Sequence, residues 1–115
     1  MSVTNPVLVG CCGWNAAQSL YFSTFPVIEI QTTFYQPPAV NVVKRWKARS
    51  PIGFRFCIKA WQLITHPATS PTYRRLKSRL SAQERDLYGG FQATEQVALA
   101  WEGSVAKTGE ACLLA

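Results

Sequence analysis

Three side chains in this sequence carry the chemistry of acid–base or nucleophilic work: the carboxylate of Glu29, the amine of Lys59 and the imidazole of His66. A carboxylate can accept a proton, a lysine can bind an anion or form a Schiff base, and each tunes the other through its charge. His66 is the only histidine and precedes Pro67. Its ordinary pKa near neutrality suits a general acid or base. Beside these stand groups able to bind and orient a substrate: the rings of Trp14 and Tyr35, the amide of Gln31 and the hydroxyl of Thr33. Each has a structural alternative. Glu29 and Lys59 could form a buried ion pair that satisfies two otherwise costly groups, His66 could anchor a loop, and the aromatics could pack beneath one.

Metal and cofactor chemistry find little support in the residue pattern. One histidine excludes a His-based metal centre, and Glu29 with His66 supplies too few ligands. Cys11, Cys12, Cys57 and Cys112 show no C-x-x-C spacing and read as reduced core thiols. A phosphate-cradling glycine loop, a Ser-His-Asp order and a dinucleotide fingerprint are all missing, so neither a metal nor a cofactor is expected.

The net charge of +6 comes mainly from Lys44–Arg49 and from the run Arg74, Arg75, Lys77 and Arg79. The second run could contact the phosphates of a nucleic acid, in which case binding would weaken steeply with salt and ignore mutation of Glu29. Aromatic interleaving is confined to Trp46 and Tyr73, which favours the plainer reading of solvated helix faces.

The elements that must position these groups follow from pattern and punctuation. Val7–Cys12 is a continuous apolar run ending at Gly13, as in a strand buried on both faces. A short helix with Leu20, Tyr21 and Phe25 on one side is closed by Pro26, and Val27–Thr32 is a second strand. Pro37-Pro38 opens a helix with Val40, Val43 and Trp46 on its apolar face. Phe54–Lys59 alternates as a third strand and leads into a long connection, Ala60 to Ser70. Ser70-Pro71 starts a helix with Tyr73, Leu76 and Leu80 on one side. After Gly89-Gly90, a last helix would bury Phe91, Thr94, Val97, Ala98, Trp101 and Val105 and end at Gly109; Ala111–Ala115 opens a fourth strand. Strands alternating with helices imply parallel pairing, and hence an α/β fold.

At 115 residues, 48% apolar and 16% charged, the chain has the balance of one globular domain spanning 1–115. No apolar run approaches a membrane span and no signal-peptide pattern opens the chain, so a cytoplasmic protein without membrane partners is expected. The sequence stops inside an apolar run, which leads to the expectation either of further strands or of a homo-oligomer that covers the open edge.

Several of these segments together resemble the YecE-like family of TIM-barrel proteins (domain of unknown function seventy-two). They are Val9-Gly10-Cys11-Cys12-Gly13-Trp14, Val27 through Tyr35, Arg45-Trp46, Gly53 through Ala60 and Ile64-Thr65-His66, in that order along nearly the whole chain. The form Lys59 through His66, followed by Ser70-Pro71-Thr72-Tyr73, looks most like archaeal members. The resemblance implies the N-terminal half of a (β/α)8 barrel, since a whole barrel needs about 250 residues. In a barrel, Val27, Glu29 and Gln31 would face the lumen, as would Arg55, Cys57 and Lys59. Glu29, Lys59 and His66 would then meet at the C-terminal rim, where barrel active sites lie, to act on an anionic small molecule or nucleic-acid-derived substrate. A non-catalytic nucleic-acid-binding module and an inactive, oligomerising half-barrel are the alternatives.

Overall fold

The computed structural model describes residues 7–76 and 78–109 and the strand at 112–114. Four strands, β1 (Cys11–Cys12), β2 (Val27–Ile30), β3 (Arg55–Ile58) and β4 (Cys112–Leu114), form one parallel sheet in the order β1-β2-β3-β4. Between them run α1 (Gln18–Thr24), α2 (Val40–Arg49), α3 (Gln62–Thr65), α4 (Ala82–Arg85) and α5 (Glu95–Thr108). Two 3-10 turns, Thr32–Phe34 and Pro71–Arg75, complete the described elements. This is the α/β class that the alternation implies.

The apolar positions of β2 and β3 point to one side. Ile28, Ile30, Phe56 and Ile58 are buried with Tyr21 of α1, and Trp14, Phe22 and Trp46 pack against them. The opposite face carries half-buried Val27, Glu29 and Cys57 and exposed Arg55, with no helix over it among the described residues. The alternation thus has the parity expected for β2 and β3, because consecutive side chains leave a strand on opposite faces.

Tyr21 fastens the start of the sheet. Its buried hydroxyl accepts from the Cys11 amide at 2.8 Å and donates to the Val27 carbonyl at 2.7 Å, joining β1 to the beginning of β2. Gly10 lets the two backbones approach: a Cβ there would lie 2.0 Å from the Val27 carbonyl oxygen.

Several expectations are corrected. Strand one is short, and Val7 and Val9 are 89% and 67% exposed rather than buried on both faces, because β2 begins only at Val27 and offers them no partner. Cys12 is exposed, so it is not a core thiol. The segment after Ser70 forms the 3-10 turn Pro71–Arg75, an extended Leu76 and a new short helix, α4, rather than one continuous helix. Ser81 explains the break: its hydroxyl accepts from the Glu84 amide at 3.1 Å, so the S-x-x-E box at Ser81–Glu84 starts a helix of its own.

The last helix ends as expected at Gly109 but begins later: Phe91 lies before it and is exposed, and Thr94 is its cap rather than part of its face, its hydroxyl accepting from the Val97 amide. Its buried side is different. Val97, Ala100, Ser104 and Thr108 face inward, while Trp101 and Val105 are 45% and 41% exposed. Close packing decides this: small residues let α5 approach α2, α3 and β4, and Ser104 and Thr108 satisfy their hydroxyls on the carbonyls of Ala100 and Ser104.

Candidate functional site

The chain immediately after β2 builds the rim. Gln31 leads into the 3-10 turn Thr32–Phe34, which tips the Phe34 and Tyr35 rings over the C-terminal end of the sheet, 5.3 Å apart and nearly perpendicular. Thr33 clips this turn to both strands. Its hydroxyl lies 3.0 Å from the Ile30 carbonyl and 2.8 Å from that of Lys59, and the residue is buried, so the group expected to meet a ligand serves the main chain instead.

Lys59, just past β3, places its ammonium over the Phe34 ring, 4.5 Å from the centroid. The His66 imidazole meets the same ring edge-on at 4.8 Å. One buried aromatic therefore gathers the lysine and the histidine. An aromatic face attracts a cation without neutralising it, so the Lys59 charge stays available to an anion. The neighbouring ring repeats the arrangement: the guanidinium of Arg75 sits 3.7 Å over Tyr35. Arg75, expected on a nucleic-acid-binding helix face, belongs to this rim.

His66 is held through both its ring and its main chain. Thr65 Oγ1 lies 2.6 Å from His66 Nδ1, and the Tyr73 hydroxyl donates to the His66 carbonyl at 2.8 Å. Gly89, at φ +80, passes so close that a Cβ would lie 1.8 Å from that carbonyl oxygen. The Gly89 and Gly90 amides donate to Leu63 and Thr65, binding the two loops together. Burial pushes the Tyr73 phenol above its usual pKa, while the nearby Arg85 charge pulls it down by less. Trp61 Nε1 donates to the Tyr35 carbonyl at 3.1 Å and fixes the second ring, with the buried Gln62 amide behind it.

The other expected residues lie elsewhere. Glu29 is in register with Cys12 on one side and Cys57 on the other, so the three form a row across the uncovered face, two residues below the level of Lys59. Glu29 is not among the residues gathered on the Phe34 ring. Trp14 packs edge-on against Tyr21 and Phe22 at 5.3 Å in the helix-side core, and is corrected from rim residue to core residue. Gln31 is exposed at the start of the turn, open to a ligand. Arg74 and Arg79 are exposed beside a separate cleft, and Lys77 lies outside the described residues.

Phe34 was expected beside Tyr35 at the rim; Thr65 and Arg85 were missed as individual contributors by sequence reasoning. The pair Thr65-His66 held the first in plain view; Arg85 had no signal, since its neighbours come from the loop at Ala68. Among the described residues, no three His, Cys, Asp or Glu side chains converge to hold a metal ion, and no helix is long and apolar enough to cross a membrane.

Comparison with known proteins gives the chain its kin. No curated protein matches it. The crystal structure of a DUF72 family protein from Enterococcus faecalis V583 superposes over 93% of this chain with a TM-score of 0.57 and 22% identity, which shows a shared fold. This chain spans 36% of that protein's length. The family described as "Protein of unknown function DUF72" matches residues 8–101, most of the sequence, and the chain belongs to that family.

Proposed function

We propose that the rim after β2 and β3 is the anion-binding part of an enzyme-type barrel site, with this chain as its N-terminal portion. Lys59 and Arg75 hold a phosphate or carboxylate group of a small-molecule substrate, Gln31 hydrogen-bonds it, and His66 moves a proton. Glu29, lower on the same strand face, takes the part of base toward a substrate that reaches into the lumen. The observation that carries this reading is the pair of cations on adjacent aromatic faces, at 4.5 Å and 3.7 Å from the Phe34 and Tyr35 centroids. A solvated lysine or arginine keeps its rotamer freedom; two held over rings have already lost much of it, which lowers the entropic cost of binding an anion.

The test is titration of the full chain with inorganic phosphate and with acetate, followed by NMR at the His66 imidazole and the Tyr35 amide. Phosphate should shift both signals, and Lys59→Met should weaken binding at least about fivefold, the loss of one charge-assisted contact. Glu29→Gln should leave anion affinity near that of the parent chain. Unmoved His66 and Tyr35 signals with either anion, or parental affinity in Lys59→Met, would overturn the assignment.

A further inference from the structure

The basic run after Ser70 does not form the flat helix face that suits a nucleic-acid backbone. Ser81 starts a separate helix, and residues from 68–76 and 78–85 line a cleft of about 600 Å³. Its lining includes Arg74, Arg79 and Arg85 with the hydroxyls of Ser70, Tyr73 and Ser78, and no carboxylate among the described residues. Three guanidiniums with no carboxylate among the described lining residues give this surface a positive potential that attracts an anion.

One of the three is held in place. Arg85 donates from its Nη2 to the Ala68 carbonyl at 2.8 Å, which orients the guanidinium at the edge of the cleft and leaves its other N–H donors free for a second acceptor. The Tyr73 hydroxyl is spent on the His66 carbonyl, and the Ser70 hydroxyl is 2.7 Å from that of Thr72. The remaining donor capacity belongs to the guanidiniums and the Ser78 hydroxyl. A planar guanidinium fork pairs bidentately with carboxylate or phosphate, and several of them together suit the larger number of oxygens on a phosphate or diphosphate.

We infer that this cleft is a second anion site, distinct from the Lys59–His66 rim, that takes the phosphate or diphosphate group of a small molecule through Arg74, Arg79 and Arg85. Its concavity accommodates one compact group, in contrast to the extended strand that the run of basic residues suggests by itself. The inference does not depend on the rim being an active site, although Tyr73 separates the two by a single side chain.

The experiment is NMR titration of the full chain with inorganic pyrophosphate, read at the Nε–Hε signals of Arg79 and Arg85. Binding should shift both signals with a dissociation constant of about a millimolar or tighter, and Arg79→Gln should weaken it at least about fivefold. Arg85→Gln should do the same, but it also breaks the bond to Ala68; Arg79, exposed and outside any helix or strand, keeps the test independent of folding. Lys59→Met should leave the Arg79 and Arg85 shifts intact, so a failed rim and a failed cleft read out at different signals. Unshifted arginine signals at about 10 mM pyrophosphate, weaker than any affinity the site could use, or parental affinity in Arg79→Gln, would overturn the inference.

Discussion

Replacing Tyr21 by Phe removes one oxygen atom and should cost more than its size suggests. The hydroxyl closes two main-chain groups, the Cys11 amide at 2.8 Å and the Val27 carbonyl at 2.7 Å, and the residue is 1% exposed. The ring itself is retained, with its contacts to Trp14 at 5.3 Å and Phe25 at 5.1 Å. The apolar contribution is therefore unchanged and the loss is polar. A buried donor or acceptor deprived of its partner costs about 1–3 kcal/mol. Cys11 is only half-buried, and water can reach part of it, so the two together come to about 2–4 kcal/mol, a large share of the stability of a small domain. Urea unfolding of the parent and Tyr21→Phe chains, with equal m-values, measures the difference directly, and hydrogen exchange at the Cys11 amide should accelerate with it. A change below about 0.5 kcal/mol would show that β1 is not fastened through this hydroxyl, and that the order of the sheet's first pair rests on its backbone ladder and on packing.

Two further outcomes follow from the same geometry. Gly89→Ala places a methyl 1.8 Å from the His66 carbonyl oxygen at a positive φ, so it should destabilise the chain by about 2–4 kcal/mol and move the His66 imidazole signals, both readable from urea unfolding and NMR on one sample. Burial raises the Tyr21 and Tyr73 phenols above their usual pKa, meaning the folded chain holds those protons more tightly than the unfolded chain. Their contribution is complete below the unfolded value of about 10 and is lost as pH rises through the raised folded values, so unfolding free energy should fall above about pH 10, with a shallower fall in Tyr21→Phe. Chemical denaturation from pH 8 to pH 11 checks it.

Local pattern was sufficient for the class of fold and for the faces of β2 and β3. Alternation places Ile28 and Phe56 on one side and Glu29 and Cys57 on the other whatever the partners are, because successive residues of a strand point to opposite faces. The stop of α5 at Gly109 is equally local, since Gly109 acts on its own backbone. The Ser81-x-x-Glu84 box was legible too, yet the stronger pull of Ser70-Pro71 hid it.

What the chain's own letters could not decide is whatever depends on segments far apart in sequence. Apolarity marks Trp101 and Val105 for burial, but the inward face of α5 is chosen by how near it can come to α2, α3 and β4, and small Ala100 and Ser104 allow the closer approach. Lys59 and Glu29 share a strand face, yet the ammonium is drawn to a ring supplied by Phe34, a residue that turns over the sheet only because Thr33 ties it to the Ile30 and Lys59 carbonyls. Arg75 leaves the basic run for Tyr35, and Arg74, Arg79 and Arg85 come to line one cleft, through turns whose register no spacing rule contains. A side chain's type is fixed by its own residue, whereas its partner is fixed by the whole packed chain, since contact free energies are settled only when distant surfaces meet.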